Sequence, residues 1–227
     1  MKRIYRPTRS AADWRDLTAG GERHWKDGHS AKCLAESWEA ADGFPPRVRE
    51  ALAESADNTL RTARLLLAIP EWKVQIPGGG HPSQNDLFCL AGIRRDDQDE
   101  LLVLMVEGKA RESFGPTVAG WHAKSSPGKD RRLASLKGLL GFGNVSDEQL
   151  GDIRYQLLHR TASALLTARA FAARNALVLV HAFGSPPRSF VDFERFTGLL
   201  GLVVDRGAIV GPALLDATAC YFGWVDE

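Results

Sequence analysis

Residues 85–110 read NDLFCLAGIRRDDQDELLVLMVEGKA. Two apolar runs, NDLFCLAGI (85–93) and LLVLMVEGKA (101–110), flank the charged stretch RRDDQDE. That pattern predicts two strands joined by an exposed turn short enough for antiparallel pairing. Leu101 to Val106 is unbroken apolar sequence, which predicts a strand covered on both faces and therefore central in its sheet. Just upstream, WKVQIP (72–77) ends in Pro77 and three glycines and predicts a first strand, so that the three form a meander.

Working outward, residues 1–29 carry no clear periodicity and read as an irregular or short-helical lead-in. Ser30 caps a helix over AKCLAESWEAA that Asp42-Gly43 stops, and Pro46 opens another with Val48 and Leu52 on one face. A further helix over about 59–69 is expected to end before Pro70, which makes the first 70 residues helical. Downstream, residues 111–145 read as a long excursion with a short helix at LASLKGLL. Ser146 to Gln149 forms a capping-box pattern. Behind it, Leu150, Ile153, Leu157, Leu165, Ala168 and Phe171 recur at helical spacing and predict one long helix to about Arg174. ALVLVHAF (176–183) then predicts a strand parallel to its neighbour. Phe190, Phe193 and Phe196 mark a packing helix, and ATACYFGWV an edge strand. The sum is a single α/β domain, residues 1–227, with a mixed sheet flanked by helices. It has a helical part at about 1–70, a sheet core at about 71–185, and a C-terminal helix and edge strand at about 186–227.

Composition narrows the function classes. At 227 residues, 44% hydrophobic and 25% charged, the chain can bury a full core and is neither collagen-like nor disordered. Twenty-nine Lys and Arg against 28 Asp and Glu leave a net charge of +1, so any nucleic acid must be held by a local patch. Cys33, Cys89 and Cys220 form no CxxC pair, which argues against a thiolate zinc site or a disulfide framework. No apolar run reaches signal-peptide or membrane-spanning length, and the expectation is a soluble, cytoplasmic protein without membrane partners. PGGGHPSQND lacks a following GK[ST], and GLLGFG is not GxGxxG, so neither a P-loop nor a dinucleotide fingerprint is present.

Chemistry concentrates on three polar residues. Asp86 opens the second strand, and Glu107 and Lys109 lie two apart on the third, hence on one face. Beside Leu, Val and Met, a Glu and a Lys must pair, bind a metal or reach water. If the strands are neighbours, Asp86 approaches Glu107, and two carboxylates at a strand end supply hard oxygen ligands for Mg²⁺ or Mn²⁺. The bland alternative is an ion-pair cluster with no ligand.

The order helix, three strands, long helix, strand, with an acid on the second strand and Glu-x-Lys on the third, resembles the PD-(D/E)XK nuclease superfamily. HWKDGHSAKCLAESW, PGGGHPSQNDLF, VEGKARESFG and RYQLLHRTASAL are more narrowly similar to a bacterial family without an assigned activity, across most of residues 24–196. The superfamily resemblance implies a restriction-endonuclease-like fold and divalent-metal-dependent phosphodiester hydrolysis, of DNA before RNA. Asp86 and Glu107 would hold the metal, Lys109 would be the catalytic lysine, and Gln156 would support it. A third acid from the first helix is implied, Glu36, with Glu54 and Glu71 as rivals. Asn85 stands where the pattern has proline.

Nucleic-acid contacts are expected from Lys124, Lys129, Arg131 and Arg160, with Arg132, Trp121 and His122 beside the first three and Gln156 and Ser163 on the face of Arg160. His24, Trp25, His29 and Ser30 form a polar-aromatic segment that could line the same cleft, although Trp25 and Trp38 read better as core residues. His159 reads as a packed or surface histidine. Cutting both strands of a duplex would suit a homodimer. Two further readings are a nuclease-like fold used only for binding or regulation in a defence or toxin-antitoxin system, and a hydrolase of small phosphoesters.

Overall fold

The computed structural model describes residues 8–18, 25–184 and 186–227. Six strands form one mixed sheet: β1 (Arg64–Val74), β2 (Ser83–Arg95), β3 (Gln98–Lys109), β4 (Asn175–Ala182), β5 (Ile209–Leu215) and β6 (Thr218–Asp226). Their spatial order is β1-β2-β3-β4-β6-β5, with β3, β4 and β6 mutually parallel and the remaining pairs antiparallel. Helices α1 (Ser30–Ala40), α2 (Pro46–Ala53) and α3 (Asn58–Arg61) cover one face. The other face is covered by α5 (Pro127–Leu139), α7 (Tyr155–Ala170) and α8 (Pro187–Leu199), with the short α4 (Val118–His122) and α6 (Asp147–Gly151) between them. This is the α/β restriction-endonuclease-like topology expected above.

The β2–β3 hairpin follows its sequence closely. Arg95 pairs with Gln98, and Asp96 and Asp97 turn the chain at φ 46° and 64°, a left-handed pair that Asp tolerates. On β3, Leu102, Leu104 and Val106 face the first helical layer, whereas Val103 and Met105 face α7. The strand is interior, and Glu107 and Lys109 continue the α7 row.

Three expectations need correction. The helix over 59–69 is only Asn58–Arg61; LLLAI belongs to β1, which runs through Pro70. Proline is tolerated there because β1 is an edge strand. ATACYFGWV is no edge either: β6 lies between β4 and β5 and is buried from Cys220 to Val225. The edge is β5, whose Gly211-Pro212 interruption reads locally as a turn. Finally, the single long helix is two. The Ser146–Gln149 capping box is present and starts α6. Arg154, however, bridges to Thr117, and the amide of Tyr155 donates to the Pro116 carbonyl, so that tertiary pairing restarts the helix.

Trp38 is buried and Trp25 packs against the same cluster, as core residues. Trp38 Nε1 donates to His181 Nδ1 at 3.2 Å, which leaves the other ring nitrogen as donor to Glu227 Oε1 at 3.1 Å. Burial lowers the His181 pKa from 6.5 to about 4 against the opposing pull of Glu227. The unfolded chain therefore binds this proton first. Stability is full above about 6.5 and is lost as pH falls towards about 4, by roughly 3 kcal/mol in all. Urea denaturation at both ends of that range should show the loss in wild type and much less of it in His181→Asn, whose amide still accepts from Trp38.

Candidate functional site

The open ends of β2 and β3 and the start of α7 border a cleft of about 870 Å³, lined by Glu71, Asp86, Glu107, Lys109, Gln156 and Arg160 among others. Alternation on β3 turns Glu107 and Lys109 towards α7. A four-residue step on α7 brings Gln156 and Arg160 one turn apart to meet them. Glu107 Oε1 accepts from Lys109 Nζ and from Gln156 Nε2, each at 2.7 Å, and Oε2 accepts from Arg160 Nε. The Glu107, Lys109 and Arg160 side chains are 5%, 4% and 8% exposed.

Asp86 arrives from β2 and is partly open to the cleft, its side chain 26% exposed. Its Oδ2 accepts the Gly108 amide at 2.8 Å, and its Oδ1 lies 3.9 Å from Arg160 Nη2. Gly108 also packs against Ser30 at the start of α1: a Cβ there would meet Ser30 Cβ and O at 3.4 Å. Glu71 sits at an irregular point of β1, at φ 56°, and its carboxylate accepts from Gln84 Nε2.

The charges are unevenly matched. Burial alone would raise the Glu107 pKa, but Arg160 and Lys109 outweigh it and hold the group at about 2. Asp86 goes the other way, to about 8, through burial first and then the negative charge of Glu107, only partly offset by Arg160. Glu107 thus owns the two cations, and the Asp86 carboxyl, which Arg160 approaches only loosely, keeps its proton at neutral pH in the metal-free protein. Behind them, Arg160 Nη1 donates to Ser83 Oγ at 3.1 Å, and Ser83 Oγ meets His159 Nδ1 at 2.8 Å. Burial, then Arg160, keeps His159 neutral, its pKa well below the ordinary value.

The chain matches the model of a family described as Domain of unknown function (DUF6946) over residues 7–227. It belongs to the DUF6946 family. No curated protein and no solved structure matches it.

In this DUF6946 domain, Asp86, Glu107, Lys109 and Gln156 come together from three elements. Other expected residues do not join them. Glu36 lies on the exposed side of α1, 3.7 Å from Lys32, and Glu54 is exposed at the end of α2; neither lines the cleft. Of the acids considered for a third position, Glu71 is the one on its wall. Arg160 does line the cleft, with its Nε donating to Glu107. Lys124 and Arg131 are exposed away from the cleft, and Lys129 Nζ is taken by the Trp121 and Lys124 carbonyls at 2.6 and 2.9 Å. Ser163 bonds back to the His159 carbonyl. His29 and Ser30 line the cleft, whereas His24 falls outside the described residues.

Sequence reasoning missed the link from Arg160 through Ser83 to His159. The only local signal was the four-residue spacing of Gln156 and Arg160, which places two donors on one face without naming their acceptor. Among the described residues, no group of three or more His, Cys, Asp and Glu could hold a metal ion, and no helix is long and apolar enough to cross a membrane.

Proposed function

We propose that this domain is a divalent-metal-dependent phosphodiesterase acting on nucleic acid, DNA before RNA, with the Asp86–Glu107 cleft as its active site. The supporting observation is geometric: the Asp86 carboxyl, part-open and only loosely approached by Arg160, beside a buried Glu-x-Lys pair in an open cleft. Mg²⁺ is commonly held by one or two carboxylates, with water and phosphate oxygens completing its shell, so a third protein acid is not required. Asp86 and Glu107 would hold Mg²⁺ or Mn²⁺, and the bound cation would supply positive charge to a non-bridging phosphate oxygen.

The chain's own residues do the rest. Lys109 lines the cleft with its ammonium fixed between Glu107 and the Phe114 ring, 4.8 Å from the ring centroid, where it can orient the attacking water and offset developing negative charge. Gln156 and Arg160 hold Glu107 in one orientation, which is a positioning role. Cleavage of both strands of a duplex would use two copies of the chain.

One observation favours a second reading, a binding or regulatory module: both oxygens of Glu107 already accept donors. The two are separated by incubating labelled duplex, single-stranded and branched DNA and RNA with the protein and Mg²⁺ or Mn²⁺. Cleavage is expected, abolished by EDTA and reduced at least about 100-fold in Lys109→Met. Intact substrates with metal-loaded wild type would leave the binding module as the better reading.

A further inference from the structure

A second pocket, about 430 Å³, opens between the Gly79–Ser83 segment and the first turn of α5. It shares Tyr155 and His159 with the Asp86–Glu107 cleft, so the two cavities are neighbours. Their chemistry differs. The cleft is walled by Glu71, Asp86, Glu107 and Glu112 together with Lys109, Arg111 and Arg160, whereas no Asp or Glu is among the described residues lining the second pocket, which include Lys129 and Arg132.

Local structure explains how the pocket forms. Gly78, at φ 98°, brings its chain so close to α5 that a Cβ would lie 2.5 Å from the Arg132 amide nitrogen, which only glycine permits. Arg132 then reaches back, and its Nη1 donates to the Gly79 and His81 carbonyls at 2.7 and 2.8 Å. The residue is only 7% exposed, and its Nε is buried without a partner. Gly128 sits in the first turn of a 13-residue helix, where the helix dipole favours an anion, the Lys129 and Asp130 amides being bonded to Ser126. The guanidinium charge of Arg132, the Lys129 ammonium, two of whose protons go to the Trp121 and Lys124 carbonyls, and a helix N-terminus, in a pocket lined without carboxylates, form a receptor for a phosphate.

We propose that this pocket binds a backbone phosphate of the nucleic-acid strand next to the one in the cleft; this rests on the nuclease reading above. Of the basic set around Trp121, the buried Arg132 then makes the contact, and the exposed Lys124 and Arg131 do not.

Gly128→Glu tests it. A Cβ there meets only Ser126 Oγ, at 3.9 Å, and an acid in a first helical turn suits the helix, so the fold should keep its melting temperature. Gly138→Glu, where a Cβ meets nothing within 4 Å, makes the same charge change at the far end of α5. Binding of a short fluorescein-labelled oligothymidylate is measured by anisotropy in EDTA across a salt series. The expected result is about tenfold weaker binding for Gly128→Glu, the worth of one charge-assisted hydrogen bond, and a salt slope smaller by about 0.7, with Gly138→Glu like wild type. Equal weakening by both variants, or by neither, overturns the proposal. So does inorganic phosphate raising the melting temperature of wild type but not of Gly128→Glu while oligothymidylate fails to bind, since the pocket would then serve a small phosphate compound. Pocket-dependent binding without cleavage in Mg²⁺ removes the nuclease reading alone. Cleavage with wild-type KM in Gly128→Glu removes the pocket alone.

Discussion

Glu107→Ala is expected to destabilise the fold by about 3–5 kcal/mol, beyond any effect on activity. The carboxylate is the common acceptor for Lys109, Gln156 and Arg160. Removing it leaves an ammonium and a guanidinium buried at 4% and 8% side-chain exposure without their main counter-charge. Urea denaturation should show the loss, and adding Lys109→Met should recover part of it, because that variant removes one of the stranded charges. A Glu107→Ala protein within about 1 kcal/mol of wild type would mean that the cluster is wetter or looser than described. An inactive Glu107→Ala enzyme would therefore say little about chemistry.

Asp86→Asn is expected to act in the opposite direction. In a cleft where Glu107 and Glu71 face Lys109 and Arg160, folding at neutral pH must protonate Asp86, which the unfolded chain leaves ionised; the amide carries no such cost and keeps an oxygen for the Gly108 N–H. Stability in metal-free buffer at neutral pH should rise by roughly 0.5–2 kcal/mol. Cleavage in Mg²⁺ should fall at least about 100-fold, because an amide oxygen is a poor substitute for a carboxylate on a hard cation. A more stable but inactive variant is the mark of a group retained for function at the expense of the fold. Were Asp86→Asn less stable than wild type, Asp86 would instead be a structural partner of Arg160 and the Gly108 amide.

The hairpin that carries Asp86, Glu107 and Lys109 was legible in the chain because its signals are local: two apolar runs, an acidic turn and a period of two. The strand of LLLAI was not, since a short apolar run suits a helix or a strand equally and Pro70 suggested a stop. What made it a strand was the vacant side of β2, to which an edge strand with proline could still pair. The split of the long helix has the same character, its break being set by Pro116 and Thr117 from a distant segment.

Sequence by itself determined that an acid and a lysine share a face of a buried strand, because alternation is a property of the strand alone. Only the tertiary structure decided which acid keeps the cations. Gln156 and Arg160 reach Glu107 from 49 and 53 residues away, and the Gly108 amide takes Asp86 from 22. Periodicity assigns a side chain to a face, but the balance of charge at a point depends on packing between segments, and that balance leaves Asp86 as the carboxyl that its neighbours ionise least.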